Sequence, residues 1–193
     1  MKSASIVIVG VGGQGTLLAS RILGALAAEL DLPVKVSEVH GMAQRGGNVI
    51  THVRIGAEFH SPLVEAGGAD YLLAFEQLEA LRALPYLKKE GTLVVNLQKI
   101  APMPVITGAA AYPEDIPARL NATCRTVAMD ALSLAREAGD ARAVNLALLG
   151  ALCRLTGTDR AHWHRAIESC VPEKFRSINL TAFELGYKEV PNA

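Results

Sequence analysis

The hydrophobic pattern of the first thirty residues predicts a buried strand followed by an amphipathic helix. Residues 6–9 form an unbroken run of Ile and Val, which is typical of a strand covered on both faces. Apolar side chains then recur at positions 18, 22, 26 and 30 within the segment 16–30, which is the spacing of one helix face. Glycines at 10, 12, 13 and 15 separate the two elements. A strand, a glycine turn and a helix in this order indicate the opening of a nucleotide-binding βαβ unit.

Strands and helices alternate along the rest of the chain. We predict strands at 34–36, 48–55, 69–75, 92–96 and 124–128, and helices at 77–87, 130–138, 141–155, around 162–167 and at 173–185. Residues 100–120 hold four prolines and predict a loop with one edge strand at 105–106. The alternation predicts a three-layer α/β/α sandwich, Rossmann-like, with a mostly parallel sheet in a single domain spanning 1–193. The short connections between 48 and 62 leave a mixed sheet open as an alternative.

Composition excludes several classes of function. Lys plus Arg and Asp plus Glu both number 19 in 193 residues, so no bulk charge favours nucleic acid or anionic membranes. The N-terminus lacks the pattern of a signal peptide, and no apolar run reaches the roughly 18–20 residues of a membrane span, so we expect a cytoplasmic protein. The scattered Cys124, Cys153 and Cys170 favour reduced thiols, and we predict no metal ligands.

The glycines after the first strand fit a phosphate-binding turn. Gly10, Gly12 and Gly15 match G-x-G-x-x-G in register. A missing Cβ lets a phosphate approach the backbone N–H groups at the helix start, where the helix dipole is positive. The alternative is that these glycines only form a tight turn between strand and helix.

A second segment, 37–47, places chemically active side chains among glycines. It holds Glu38, His40 and Arg45 together with three glycines, which disfavour a helix, and it is too polar for a buried strand. Because this segment follows the second strand, we expect it to face the first glycine loop across a ligand-binding crevice. The residues predicted to contact a phosphate or cofactor are Gly10, Gly12, Gly13, Gln14, Gly15, Thr16, Ser37, Gly46 and Gly47.

These segments carry a family resemblance. The chain resembles the gamma-type subunits of 2-oxoacid:ferredoxin oxidoreductases, and within them most closely the small (beta) subunit of indolepyruvate ferredoxin oxidoreductase. The residues that carry it are GVGGQG at 10–15, SEVHGMAQRGG at 37–47 and VRIG at 53–56. The resemblance spans nearly the whole chain and implies a fold similar to the gamma domain of pyruvate:ferredoxin oxidoreductase.

The resemblance also implies a reaction and its partners. In that family a 2-oxoacid, here an aryl pyruvate such as indolepyruvate, is oxidatively decarboxylated to an acyl-CoA while ferredoxin is reduced. The family uses thiamine diphosphate and iron–sulfur clusters, but this chain lacks both the Gly-Asp-Gly segment of the thiamine site and the closely spaced cysteines of a cluster. The resemblance therefore implies a chain that binds no cofactor stably alone, contacts coenzyme A, and works only beside a large thiamine and iron–sulfur subunit.

Roles for individual side chains follow from residue type and position. Arg45 suits a phosphate or a substrate carboxylate, His40 could position a group near the acyl intermediate, and Glu38 could orient His40. Each has a structural alternative: an interface arginine, a histidine bonded to a loop carbonyl, and a capping carboxylate. Glu76 and Asn96, which end later strands, are further candidates by location alone.

Two other functions remain open at the level of sequence. The G-x-G-x-x-G register fits a stand-alone NAD-binding protein in which Glu38 holds the ribose. The chain also fits a non-catalytic assembly subunit that uses the apolar helix 141–155 as a contact surface, and an isolated chain could pair as a homodimer through such surfaces.

Overall fold

A six-stranded mixed sheet forms the centre of the fold. The structure is a computed structural model in which residues 3–41 and 47–191 are described. Its strands are Ala4–Val11 (β1), Val34–His40 (β2), Asn48–Ile55 (β3), Ala69–Ala74 (β4), Leu87–Asn96 (β5) and Arg125–Met129 (β6). They lie in the order β2-β3-β1-β4-β5-β6. Strands β1, β4, β5 and β6 are parallel to one another, whereas β3 is antiparallel to both of its neighbours, β1 and β2. The sheet is therefore mostly parallel with one reversed strand.

Helices cover both faces of this sheet. They are Thr16–Glu29 (α1), Gln77–Ala83 (α2), Met103–Ile106 (α3), Ile116–Thr123 (α4), Ala131–Glu137 (α5), Val144–Thr156 (α6), Arg160–Cys170 (α7) and Glu173–Glu189 (α8). Side chains alternate along β1, so Ile6 and Ile8 join a core with α1, α5, α6, α7 and α8, whereas Val7 and Val9 join a second core with α2 and α4. The predicted α/β/α sandwich is confirmed. Within the described ranges, none of these helices has the length and apolar character to cross a bilayer.

Helices α6 and α8 cross with their backbones in direct contact. A Cβ added at Gly150 would overlap the carbonyl oxygen of Phe183, and one added at Gly186 would overlap that of Ala147. This packing explains why α8 continues through Gly186 to Glu189, although a helix ending at 185 was predicted. Glycine usually weakens a helix interior, but here its small size is what allows the two helices to meet.

The proline-rich segment contains helices instead of the predicted edge strand at 105–106. Pro104 lies in the first turn of α3, and Pro117 lies in the first turn of α4. A proline is tolerated there because the first N–H groups of a helix have no intrahelical acceptor. The helix predicted at 77–87 is α2 to Ala83, a 3-10 turn at Leu84–Tyr86 that contains Pro85 follows it, and β5 begins at Leu87.

The second strand was predicted to lie beside the first. This prediction is wrong, because β3 lies between β2 and β1. The connection between β2 and β3 spans only residues 41–47, and so short a loop can join antiparallel strands but not parallel ones. With neighbouring strands about 4.8 Å apart, β2 runs about 10 Å from β1. The 41–47 loop nevertheless returns to the end of the sheet at which β1 finishes.

Candidate functional site

The side chain of Gln14 holds the first glycine loop closed. Its Oε1 accepts a hydrogen bond from the N–H of Val11 at 2.7 Å, and its Nε2 donates to the carbonyl of Phe75 at 3.2 Å. A Cβ added at Gly10 would lie 2.8 Å from that Oε1. Glycine at position 10 therefore makes room for an amide that ties the loop to the end of β4.

Gly15 fixes the same loop against α6. Its φ is +85°, a left-handed conformation that glycine adopts without strain, and α1 begins at the next residue, the buried Thr16. Nδ2 of Asn145 donates to the carbonyl of Gly15 at 3.3 Å, and a Cβ added at Gly15 would lie 2.9 Å from that nitrogen. Asn145 is only 2% exposed. The start of α1 is therefore positioned by a buried amide 130 residues away in sequence.

A cavity of about 360 Å³ opens beside this loop. It is lined by Gly13, Gln14, Gly15, Leu18, Gln98, Ile100, Leu132, Ala141, Arg142, Val144 and Asn145. Three amide side chains and one guanidinium provide its polar groups, and most of the other side chains are apolar. Because the cavity adjoins the N-terminus of α1, its electrostatic environment favours an anionic group at that end.

Asn96 supports one side of the cavity without lining it. Its Nδ2 donates to the carbonyl of Phe75 at 3.1 Å and to Oε1 of Gln98 at 3.3 Å, and its Oδ1 accepts from the N–H of Ala131 at 3.2 Å. The side chain is fully buried. Asn96 therefore links β4, β5 and the start of α5, and it orients Gln98 at the edge of the cavity.

Glu76 is likewise a structural residue in this arrangement. Its carboxylate accepts hydrogen bonds from the N–H of Glu79 at 3.0 Å and of Ile100 at 3.1 Å, and from the hydroxyl of Tyr112. Burial, together with the adjacent Glu76 carboxylate, raises the pKa of Tyr112 well above its ordinary value. Glu76 thus caps α2 and anchors the 97–112 segment.

The two glycine loops meet directly. The N–H of Gly12 donates to the carbonyl of Gly47 at 3.0 Å. That N–H is consequently occupied by the second loop, although it was predicted to contact a phosphate. Arg45 and Gly46 lie outside the described residues, so their roles stay predictions.

Glu38 and His40 lie at the end of β2, on the outer edge of the sheet. Nε2 of His40 lies 2.5 Å from Oε1 of Glu38, whose Oε2 accepts from the hydroxyl of Thr51 at 3.3 Å. The His40 side chain is 59% exposed and that of Glu38 is 13% exposed. This geometry is the one expected if Glu38 orients His40. Ser37 pairs with His52 of β3, and none of the described residues of 37–47 lines the cavity.

The cavity includes residues that sequence reasoning missed. These are Leu18, Gln98, Ile100, Leu132, Ala141, Arg142, Val144 and Asn145. Asn145 offered one signal, since a buried amide in an otherwise apolar helix is unusual. Gln98 offered another, because it follows the end of β5 at the edge where the site was expected.

The cysteines lie apart from the cavity. Cys153 is buried, which raises the pKa of its thiol to about 12, and Cys124 and Cys170 are half-buried free thiols. Across residues 3–41 and 47–191, no three His, Cys, Asp or Glu side chains converge to form a metal site.

Comparisons with known proteins identify the family. The family model of pyruvate ferredoxin/flavodoxin oxidoreductase matches residues 5–189. Indolepyruvate oxidoreductase subunit IorB of Pyrococcus horikoshii is 42% identical over 194 residues, which cover 97% of this chain and 96% of that protein.

Solved structures agree with this match. The gamma subunit of a keto/oxoacid ferredoxin oxidoreductase from Geobacter sulfurreducens has a TM-score of 0.71 at 28% identity, over 96% of this chain and 97% of that one. A 2-oxoglutarate:ferredoxin oxidoreductase from Magnetococcus marinus, with 2-oxoglutarate, coenzyme A and succinyl-CoA bound, shares the fold with a TM-score of 0.74 at 21% identity. That match covers 98% of this chain and 31% of the longer polypeptide. The resemblance inferred from the two glycine segments is confirmed, and the chain belongs to the pyruvate ferredoxin/flavodoxin oxidoreductase family.

Proposed function

We propose that this chain is the small subunit of a 2-oxoacid:ferredoxin oxidoreductase that acts on aryl pyruvates such as indolepyruvate. The full-length match to indolepyruvate oxidoreductase subunits supports this assignment. In the reaction, the 2-oxoacid and coenzyme A yield an acyl-CoA, carbon dioxide and a proton, and two electrons pass to ferredoxin. A larger partner subunit holds the iron–sulfur clusters and thiamine diphosphate, and the latter supplies carbanion stabilisation when bound.

Within that complex, this chain binds coenzyme A in the cavity beside the first glycine loop. The observation that carries this proposal is the mixed lining of the cavity. The N-terminus of α1 and Arg142 suit the pyrophosphate, and the amides of Gln14, Gln98 and Asn145 suit the two amide groups of the pantetheine arm. Apolar side chains such as Ile100 can contact its methylene groups.

The hairpin that carries Glu38, His40 and Arg45 is assigned to the side of the site that faces the partner. Glu38 holds the His40 ring, which is exposed at the end of β2, where it can reach groups of another polypeptide. Replacing Arg45 with Ala in the complex tests this role. Unchanged saturation by coenzyme A and by the 2-oxoacid would remove Arg45 from the site.

The NAD-binding alternative finds little support in the strand order. A ribose-binding carboxylate belongs on the strand next to β1, and that place is taken by the reversed strand β3. Glu38 lies one strand further out and already contacts His40 and Thr51. Titration of the full chain with NAD and with coenzyme A distinguishes the two, since micromolar NAD binding would favour the alternative.

The coenzyme A site is tested by Gln98→Leu in the complex with the large subunit. Removing one amide should raise the KM for coenzyme A by roughly three- to ten-fold, the loss expected for one hydrogen bond to a ligand, and leave the KM for the 2-oxoacid unchanged. Asn121→Leu, on the exposed surface of α4, is the matched control. An unchanged KM for coenzyme A in Gln98→Leu would contradict the assignment. That result would favour the alternative in which this chain serves only to assemble the complex.

A further inference from the structure

A second cavity continues from the first one along α1. It measures about 190 Å³ and is lined by Leu18, Asp140, Arg142, Ala143, Val171, Pro172, Phe175, Ile178 and Asn179. Leu18 and Arg142 line both cavities. Leu18 is three residues beyond Gly15, so less than one turn of α1 separates the glycine loop from this second cavity. A ligand whose phosphates lie at the loop can therefore extend into it.

The lining of the second cavity is mostly apolar, and cations lie close to its Phe175 ring. Nζ of Lys174 lies 4.9 Å from the centre of the Phe175 ring, and Cζ of Arg142 lies 5.5 Å from it. Nε of Arg176 donates to the carbonyl of Val171 at 3.3 Å, which places a third cation beside the lining.

Two carboxylates accompany these cations. Asp140 pairs with Arg142 at 2.6 Å, and Glu173 precedes Lys174 at the start of α8. Against Arg142, Lys174 and Arg176 the two carboxylates leave a net charge of about +1 over these five side chains, since Arg remains charged at any ordinary pH. A guanidinium has five N–H donors, so Arg142 keeps donors for an anion while it contacts Asp140.

We propose that this cavity receives the adenine base of coenzyme A, with the 3′-phosphate held by Lys174; the inference rests on the proposed coenzyme A site. An apolar cavity of about 150 Å³ already holds benzene, so one of this size accommodates a base whose polar edge remains at the mouth. Cations beside an aromatic ring favour a phosphorylated nucleoside over a purely apolar side chain of a partner. Because the two cavities share Leu18 and Arg142, a ligand with its pyrophosphate in the first cavity can extend along α1 and place its base in the second.

The 3′-phosphate gives a sharp test in the complex with the large subunit. Lys174→Met should raise the KM for coenzyme A by roughly three- to ten-fold, and it should leave the KM for 3′-dephospho-coenzyme A within two-fold of the unmodified complex. Lys188→Met is the matched control, because it removes the same charge about 21 Å further along α8. An equal effect of Lys174→Met on both forms of the coenzyme would overturn the proposal.

A binding measurement provides a readout that does not depend on turnover. Calorimetric titration of the complex with adenosine 3′,5′-bisphosphate should show binding that Phe175→Leu weakens by roughly three-fold or more, with Lys188→Met unchanged. A Phe175→Leu complex that binds this probe normally would overturn the proposal, as would one whose KM rises for the 2-oxoacid and not for coenzyme A.

The outcomes separate this inference from the proposed function. If Gln98→Leu raises the KM for coenzyme A but Lys174→Met and Phe175→Leu do not, the coenzyme site stands and the adenine position is wrong. If none of the three variants changes it, both proposals fail. If Lys174→Met acts on coenzyme A alone and Phe175→Leu weakens the bisphosphate, the adenine position is supported.

Discussion

Gly13 and Gly15 form a matched pair for testing how the glycine loop is held. Both have positive φ, +99° and +85°, so an alanine is strained at either position. Their surroundings differ. No described atom lies within 4 Å of a Cβ added at Gly13, whereas one added at Gly15 meets the Asn145 amide at 2.9 Å. Gly13→Ala therefore reports backbone strain alone, and Gly15→Ala reports strain plus displacement of Asn145.

The expected magnitudes follow from these two terms. A left-handed conformation costs an alanine about 1–2 kcal/mol, and this applies to both variants. Displacing Asn145 in Gly15→Ala also breaks its hydrogen bond to the Gly15 carbonyl and leaves a buried amide unsatisfied, which costs about 1–3 kcal/mol more. For a chain of this length, 1 kcal/mol lowers Tm by about 2–4 °C. Gly15→Ala should therefore lose about twice the Tm that Gly13→Ala loses.

Urea unfolding of Gly13→Ala, Gly15→Ala, Asn145→Ala and the double variant Gly15→Ala/Asn145→Ala measures the strain and the steric contribution separately. In the double variant the amide is gone, so the steric part of the Gly15→Ala cost should disappear and the two substitutions should be non-additive by about 1 kcal/mol. Equal destabilisation by Gly13→Ala and Gly15→Ala, together with additivity in the double variant, would refute the role given to Asn145.

Three further predictions test other parts of the fold. Gly150→Ala should cost about 3 kcal/mol or more in urea unfolding because its Cβ would overlap the α8 backbone, whereas Gly24→Ala, with no described atom nearby, should be neutral or stabilising by up to about 1 kcal/mol. Burial and, to a smaller extent, the charge of Arg54 lower the pKa of His52 from 6.5. The unfolded chain therefore takes up a proton before the folded one does, and the free energy of unfolding should decrease as the pH drops below 6.5. His52→Gln should flatten this dependence on pH, and an unchanged dependence would contradict the prediction. The pKa of Tyr112 is raised, so the stabilisation that its hydroxyl provides is present below pH 10 and is lost as the pH rises further. Tyr112→Phe should lower the free energy of unfolding by about 1–3 kcal/mol at pH 7 and weaken its dependence on alkaline pH. Equal stability of the two proteins at pH 7 would count against the hydrogen bond from Tyr112 to Glu76.

Local patterns were enough to predict most of the fold. Strand β3 was predicted with its observed bounds, Asn48–Ile55, because its β-branched residues lie between clear turn signals. The helix predicted to start at Asp130 is α5, and the Asp130 side chain caps it by accepting from the N–H of Ser133 at 3.0 Å. The errors fell where one residue type serves two purposes. Pro104 and Pro117 lie in the first turns of helices, although prolines there predict a loop, and Gly186 lies inside α8, although a helix ending before it is predicted.

The candidate site was less predictable because its residues come from distant parts of the chain. The two glycine loops were predicted to face each other across a ligand-binding crevice, whereas the hydrogen bond between Gly12 and Gly47 joins them directly. The cavity, however, lies on the other side of the first loop, where Gln98 and Asn145 approach it. No local pattern specifies that approach, since it depends on how β5 and α6 pack against β1. Sequence periodicity indicates which face of an element is buried but not which distant side chain will face it.

The first glycine loop therefore lies between the β2–β3 hairpin and the cavity and contacts both. On one side Gly12 bonds to the hairpin that carries Glu38 and His40, and on the other Gly15 bonds to Asn145 beside the cavity. A ligand in the cavity and a partner on the hairpin would both act on the same few backbone atoms. Closely packed backbone transmits small displacements. Binding at the hairpin should therefore change the affinity of the cavity for its ligand, and the reverse, even though no described hairpin residue lines the cavity. Under the proposed function, this arrangement couples the coenzyme A site to the contact with the partner subunit.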